Sequence, residues 1–179
     1  ILLYQGGFLT DNGLAEQIDA MASVRGAHLV LLGSGPTESA LRQRVATTNV
    51  EDRVHFLPRV PFSDLHTYTC SADLGLCLIK PTGHSFYWSL PNKLFEYIMA
   101  GLPVLASNAP QIAAVVQNAG VGECVDAADA NEISTHLKRL VANPEMRAQY
   151  ATAARASARQ FCWEQEQQKL LAVYDRLAA

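Results

Sequence analysis

The chain has 179 residues, a formal net charge of −3 and a hydrophobic content of 49%. That length is enough for one folded domain with a buried core, and the composition excludes a disordered chain. The small negative charge argues against a general binder of nucleic acid or of anionic membranes. The longest apolar runs fall short of the roughly 20 residues that span a bilayer.

Short apolar runs alternate with stretches of helical periodicity along the whole chain. The apolar runs predict six buried strands, at residues 1–6, 28–33, 54–57, 74–79, 104–107 and 122–125. Helical spacing predicts helices near 14–22, 41–46, 91–101 and 112–116, followed by three closing helices at 129–142, 144–160 and 163–177. In the last of these, we expect Trp163 and Tyr174 to pack against the rest of the domain.

Strands separated by helices predict an α/β fold, with a Rossmann-like, doubly wound parallel sheet of about six strands flanked by helices. We expect residues 1–179 to form one such domain. If the strand order is 3-2-1-4-5-6, ligands would bind beyond the carboxyl ends of the first and fourth strands, where the strand order reverses.

The four cysteines form no CxxC pair and show no metal-ligand spacing. Cys70, Cys77 and Cys124 lie in apolar segments, so we expect them to be reduced core residues of a cytoplasmic protein. The chain begins on an apolar strand instead of an initiator Met, which suggests a piece of a longer protein. Any contact with a membrane would then be made only by the missing part.

Two features at the predicted edge of the sheet suit a phosphorylated ligand. Gly6 and Gly7 end the first strand without side-chain bulk, so a phosphate could approach the backbone, although a simple turn is an equal alternative. The full GxGxxG fingerprint of dinucleotide-binding proteins is missing there. The later run Gly33–Pro36 is interpreted as a structural turn.

The helix that starts near Pro91 carries the strongest signal. Its free backbone N–H groups, at Asn92, Lys93 and Leu94, would face an anion at the positive end of the helix dipole. Glu96 lies four residues after Asn92 on the same face, roughly 6 Å along the axis. Phosphates at the tip and a ribose on the carboxylate would match a nucleoside diphosphate. A buried Glu96 paired with a lysine or a hydroxyl is the alternative.

Four segments carry a family resemblance: residues 4–7 (YQGG), 32–36 (LGSGP), 91–97 (PNKLFEY) and 100–104 (AGLPV). They resemble the C-terminal, donor-binding domain of family 4, or group 1, glycosyltransferases of the GT-B fold. The resemblance implies transfer of a sugar from a nucleoside-diphosphate sugar, with retention and without a catalytic metal or other cofactor. It also implies that Glu96 holds the donor ribose and that an N-terminal acceptor domain is absent from this chain.

The chain departs from the family pattern at three positions. Trp88 stands where the first Glu of the family's Glu-x7-Glu motif is expected, and Gly7 and Asn12 stand where the family usually has cations for the diphosphate. The aromatic loop from His84 to Trp88 could cover the donor sugar or could plug the fold. Because Gly7 and Asn12 carry no charge, both usual phosphate cations are missing.

Other cations then have to balance the diphosphate charge. Arg59 and Lys80 follow the third and fourth strands, and Lys93 lies in the first turn of the Pro91 helix. We expect Lys80 and Lys93 to supply part of the charge and the loop from Leu57 to Val60 to meet the base. For Arg59 and Lys80, a solvated surface cation is an equal alternative.

The sequence predicts a glycosyltransferase donor domain that binds a nucleotide sugar but transfers nothing by itself. Three other functions remain open: half of a nucleotide-sugar epimerase, a degenerate domain that serves only assembly or regulation, and a nicotinamide-binding domain. The lost cations and Trp88 motivate the degenerate-domain hypothesis. The PNKLFEY match to transferases disfavours the epimerase, and the missing fingerprint disfavours the nicotinamide-binding domain.

Overall fold

The computed structural model describes residues 1–178 and shows one six-stranded sheet in which every neighbouring pair of strands is parallel. The strands are β1 (Leu2–Gly7), β2 (Leu29–Ser34), β3 (Val54–Leu57), β4 (Leu74–Cys77), β5 (Val104–Ser107) and β6 (Gly122–Val125). Their spatial order is β3-β2-β1-β4-β5-β6. This is the order that the expected ligand position assumes, and the parallel sheet confirms the predicted doubly wound fold. The order reverses between β1 and β4, so the carboxyl ends of these strands frame the expected ligand position.

Helices connect the strands and close the chain. They are α1 (Leu14–Met21), α2 (Glu38–Thr48), α3 (Phe62–Cys70), α4 (His84–Tyr87), α5 (Asn92–Met99), α6 (Pro110–Ala119), α7 (Ala130–Ala142), α8 (Pro144–Ala158) and α9 (Trp163–Ala178). A 3-10 turn at Thr10–Asn12 joins β1 to α1. Among the helices of residues 1–178, none is both long and apolar enough to cross a membrane. The cytoplasmic location stays a prediction.

Both faces of the sheet are buried, as a parallel sheet requires. Successive side chains of β1 show this directly: Leu2 and Tyr4 belong to one hydrophobic core, and Leu3 belongs to the core on the other face. The second core also contains Leu94 and Tyr97 of α5. This packing anchors α5 to the sheet beside the carboxyl end of β1.

The sequence analysis gave no bounds for helix α3. Of its nine residues, only Thr69 is buried, so the apolar periodicity that marks a core-facing helix is nearly absent. The local signals were Pro61 just before the first helical residue and Asp64 in the first turn. These signals mark a helix start without showing which face packs.

Two expectations about side-chain burial are wrong. Trp163 and Tyr174 do not pack against the domain, because their exposed fractions are 63% and 61%. Cys70 is exposed and Cys124 is only partly buried, which leaves Cys77 as the one cysteine of the expected three that lies fully in the core. Cys70, Trp163 and Tyr174 lie on helix faces that point outward, and Cys124 lies on β6 at the edge of the sheet, so apolar neighbours in the sequence do not bury them.

Candidate functional site

A cleft of about 400 Å³ opens at the carboxyl ends of the strands on the β1 side of the switch point. Its walls come from β1, β2, the segment after β3, and helices α3 and α5. The lining residues are Gln5, Gly6, Leu32, Gly33, Arg59, Val60, Phe62, Leu65, Asn92, Lys93 and Glu96. The cleft therefore brings together five predicted site residues, namely Gly6, Arg59, Asn92, Lys93 and Glu96.

The tip of α5 borders this cleft. Pro91 is the extended residue before the helix, and its side chain makes no capping hydrogen bond. The N–H of Leu94 already donates to the Pro91 carbonyl at 3.1 Å, and the Leu94 side chain is fully buried. Of the three predicted donors, Asn92 and Lys93 are the two whose residues line the cleft.

Lys93 extends from the first turn of α5 toward Gly6. Its Nζ lies 4.1 Å from the centroid of the Tyr4 ring, a distance typical of a cation–π contact. A Cβ added to Gly6 would lie 3.4 Å from this Nζ. Burial lowers the pKa of Lys93 to about 8, and the nearby Cys77 and Glu96 oppose part of that shift. A cation therefore lies directly beside the backbone of the β1 end.

The β1 and β2 ends touch through glycines. Gly6 and Gly33 have φ values of +136° and +150°, and a Cβ on Gly33 would lie 1.9 Å from the Gly6 carbonyl oxygen. The close approach to Gly6 therefore requires a glycine at position 33. Gly33 lies within β2 and not in the interpreted turn, and it also lines the cleft.

Gly7 contributes to the site through its carbonyl group. That oxygen accepts hydrogen bonds from the Tyr4 hydroxyl at 2.6 Å and from the Asn12 side-chain amide at 2.8 Å. Neither Gly7 nor Asn12 lines the cleft. Asn12, at a position where the resemblance implies a cation, holds the backbone of the β1 loop.

The partner of Glu96 is an amide. Glu96 Oε2 accepts a hydrogen bond of 2.6 Å from Gln5 Nε2, so the partner differs from the lysine or hydroxyl of the alternative interpretation. Gln5 is 2% exposed, and its Oε1 accepts a hydrogen bond of 2.8 Å from the Thr69 hydroxyl. The sequence analysis missed both Gln5 and Thr69.

Lys80 lies apart from the cleft in this structure. Its Nζ makes a 2.8 Å ion pair with Glu16 Oε1, and the two side chains are 17% and 19% exposed. Its backbone N–H donates to the Asp11 carbonyl at 2.8 Å. Because α1 carries Glu16 close to the end of β4, the carboxylate already balances the Lys80 charge.

Trp88 also lies outside the cleft. It is 55% exposed and contacts the Tyr87 ring edge-on, with the ring centroids 5.0 Å apart. With the segment from Pro81 to His84, these rings line a separate pocket of about 380 Å³. The aromatic loop is therefore on the surface at the sheet's carboxyl end, and the plug interpretation is wrong for Trp88.

Phe62 and Leu65 complete the cleft from α3, and sequence reasoning missed both residues. Phe62 is 85% exposed, next to the Arg59–Val60 segment of the same wall. An exposed aromatic ring in the cleft wall offers a flat surface to a planar ligand. Within residues 1–178, no three His, Cys, Asp or Glu side chains lie together as a metal-ligand set.

A family model described as glycosyl transferases group 1 matches residues 1–157. The chain belongs to this family, which confirms the resemblance found in the sequence. It is 26% identical over 170 residues to a phosphatidyl-myo-inositol mannosyltransferase of Mycobacterium leprae, a match that covers 93% of this chain. The chain spans 43% of the length of that relative.

Solved structures share the fold. A sucrose-phosphate synthase from Thermosynechococcus elongatus matches with a TM-score of 0.84 and 25% identity, over 98% of this chain and 45% of that one. Anabaena HepE, solved in complex with UDP, matches with a TM-score of 0.86 and 19% identity, over 98% of this chain and 48% of that one. At that identity, HepE shows the common fold alone.

Proposed function

We propose that the cleft binds the nucleoside diphosphate of a sugar donor and that the whole protein transfers the sugar to an acceptor. The observation that carries this proposal is the meeting of Lys93, Gly6 and Glu96 in one cleft at the tip of α5. Membership of the group 1 glycosyl transferases supports it, as does the UDP bound by HepE, a protein of the same fold.

The diphosphate would lie between the α5 tip and the end of β1. The N–H groups of Asn92 and Lys93 are available there, and the Gly6 backbone presents no side chain. The Lys93 ammonium group beside Gly6 would supply positive charge that the usual family cations do not. Lys80 pairs with Glu16, so the proposal does not assign it a contact with the diphosphate.

The nucleoside would extend along α5 toward α3. Glu96, one helical turn from the tip, would accept hydrogen bonds from the ribose hydroxyl groups. Arg59, Val60 and Phe62 form the next part of the same cleft and would contact the base. The donor sugar would extend from the α5 tip toward the loop that carries Trp88, three residues before Pro91.

The chemistry follows from where charge develops. As the glycosidic bond of the donor stretches, the leaving diphosphate gains negative charge, and the α5 dipole and Lys93 would stabilise it more in the transition state than in the ground state. We propose that transfer proceeds with retention and without a metal. The acceptor would bind to a part of the protein outside this chain, in keeping with the longer relatives.

Calorimetry of this chain with UDP and with GDP tests the nucleotide site. We expect at least one of them to bind, and Lys93→Met to weaken that binding by roughly tenfold, because one direct charge contact is lost. Lys138→Met is the matched control, since Lys138 is an exposed lysine on α7. Absence of binding at millimolar nucleotide, or an equal effect of the two variants, would contradict the proposal.

Product mass analysis on the complete protein tests the reaction. A donor screen should yield an acceptor that is heavier by one sugar unit, with release of the nucleoside diphosphate. An isomerised nucleotide sugar without transfer would identify an epimerase. Nucleotide binding without any product, under conditions in which a family member is active, would favour a role in assembly or regulation.

A further inference from the structure

A continuous hydrogen-bonded chain runs from the interior of the domain to the cleft. It begins at the Thr69 hydroxyl on α3, passes through the Gln5 amide at the end of β1 and ends on Glu96 of α5. The distances are 2.8 Å from Thr69 Oγ1 to Gln5 Oε1 and 2.6 Å from Gln5 Nε2 to Glu96 Oε2. Thr69 and Gln5 are 1% and 2% exposed, so the contact between them is shielded from solvent.

The chemistry of the three groups determines the direction of every hydrogen bond. An ionised carboxylate only accepts, so the nitrogen of the Gln5 amide has to face Glu96 and its oxygen has to face Thr69. Thr69 Oγ1 lies within hydrogen-bond distance of two acceptors, Gln5 Oε1 at 2.8 Å and the Leu65 carbonyl at 2.9 Å. A hydroxyl carries one proton. Because Gln5 Oε1 has no second donor among the described residues, Thr69 donates that proton to Gln5.

The backbone of Gln5 is held as firmly as its side chain. Its N–H donates to the Tyr97 hydroxyl at 3.1 Å, and that hydroxyl group lies 3.2 Å from the Leu3 carbonyl oxygen, which accepts from it. Tyr97 is fully buried. Since Tyr97 follows Glu96 directly on α5, the same segment of β1 orients both neighbouring side chains.

We propose that Thr69 and Gln5 are positioning residues that hold Glu96 for the ribose and make the site selective for ribonucleoside over 2′-deoxyribonucleoside diphosphates. This inference rests on the proposed function. The Gln5 amide donates to Oε2 of Glu96, whereas Oε1 of Glu96 accepts no hydrogen bond from residues 1–178. Glu96 also lines the cleft, where a ligand can reach it. A carboxylate already held in place loses little conformational freedom when a ligand hydroxyl binds to it.

Gln5 suits this role because it must donate on one side and accept on the other. Glutamate at this position would set a second carboxylate against Glu96, and methionine would neither donate nor accept. The arrangement also joins α3 to α5 through β1. The wall that carries Phe62 and Leu65 is thereby tied to the residue proposed to hold the ribose.

The test compares UDP with 2′-deoxy-UDP by calorimetry, in the wild-type chain and in Thr69→Val, Thr69→Ser and Thr67→Val. Thr69→Val keeps the side-chain shape but removes the hydroxyl that donates to Gln5, whereas Thr69→Ser keeps that hydroxyl. Thr67→Val is the matched control, since Thr67 is an exposed residue of the same helix. We expect the preference for UDP to fall roughly fivefold in Thr69→Val, with affinity for the deoxynucleotide little changed.

The preference should persist in Thr69→Ser and Thr67→Val. If Thr69→Val does not fold, as judged by circular dichroism, Gln5→Met replaces it in the comparison. The inference would be overturned if the wild type binds UDP and its preference for UDP over 2′-deoxy-UDP persists in Thr69→Val or Gln5→Met. That outcome would leave the proposed nucleotide site intact. An equal wild-type affinity for the two nucleotides would overturn it as well. If UDP does not bind the wild type, GDP and 2′-deoxy-GDP take its place in the comparison, and absence of binding by both UDP and GDP would instead contradict the proposed function itself.

Discussion

Lys93 places its ammonium group over the Tyr4 ring, 4.1 Å from the ring centroid, at the point where β1 ends and α5 begins. Burial lowers the pKa of this lysine to about 8. With this pKa, the ammonium group carries its charge at neutral and lower pH and loses it as the pH rises through about 8. The proposed phosphate cation would therefore titrate within an accessible pH range.

Nucleotide affinity should decline as the pH rises through about 8. Bound phosphate stabilises protonated Lys93 and raises its pKa in the complex, so the stabilisation is present at lower pH and is lost as the free site deprotonates. Between about pH 7 and about pH 9.5 we expect UDP affinity to fall roughly tenfold. Calorimetry at both pH values measures this change, and buffers of different ionisation enthalpy report the proton taken up near pH 8.

Lys93→Met is the informative variant for this titration. It should bind UDP weakly at every pH, with little pH dependence, while Lys138→Met should follow the wild type. A wild-type affinity that is constant across the range would show that Lys93 does not contact the phosphates.

Gly33→Ala should disrupt the contact between β1 and β2. The added Cβ would lie 1.9 Å from the Gly6 carbonyl oxygen, at a φ of +150°. We expect a loss of at least about 3 kcal/mol in the free energy of unfolding, because the clash involves backbone and adds to the conformational strain. Urea denaturation measures it.

Gly26→Ala is the control for that experiment. Gly26 also has a positive φ, of +72°, but an added Cβ would meet nothing within 4 Å. Conformational strain alone should cost about 1 kcal/mol. Equal losses in the two variants would show that the approach of Gly33 to Gly6 is not tight.

Lys80→Met should affect stability more than nucleotide binding. The substitution leaves Glu16 partly buried without its 2.8 Å ion-pair partner, so we expect a loss of about 2 kcal/mol in the free energy of unfolding. UDP affinity should stay within about twofold of the wild type. Denaturation and calorimetry on the same preparation measure the two effects.

The double variant Lys80→Met with Glu16→Gln checks the cause of that loss. Removing the carboxylate charge should restore a large part of the lost stability, because the unpaired charge is gone. A clear loss of UDP affinity in Lys80→Met alone would instead show that Lys80 contributes to nucleotide binding.

The parts of the site that were predicted lie close together along the chain. Asn92, Lys93 and Glu96 share one helix, so their spacing translates directly into positions on its surface. The strands were recognised for a similar reason, since each is a short, continuous apolar run. The bounds of helix α3 were missed because only one of its residues is buried, which leaves no apolar periodicity to recognise.

The α/β fold and the α5 tip could be predicted from the sequence, because periodicity, punctuation and a family motif are local signals. The strand order and the pairing of the polar groups depend on how the elements pack. Gln5 and Glu96 are 91 residues apart, Thr69 and Gln5 are 64 apart, and so are Lys80 and Glu16. The packing of α1, α3 and α5 around β1 selects these partners, and a one-dimensional pattern contains no record of which side chains that packing brings together.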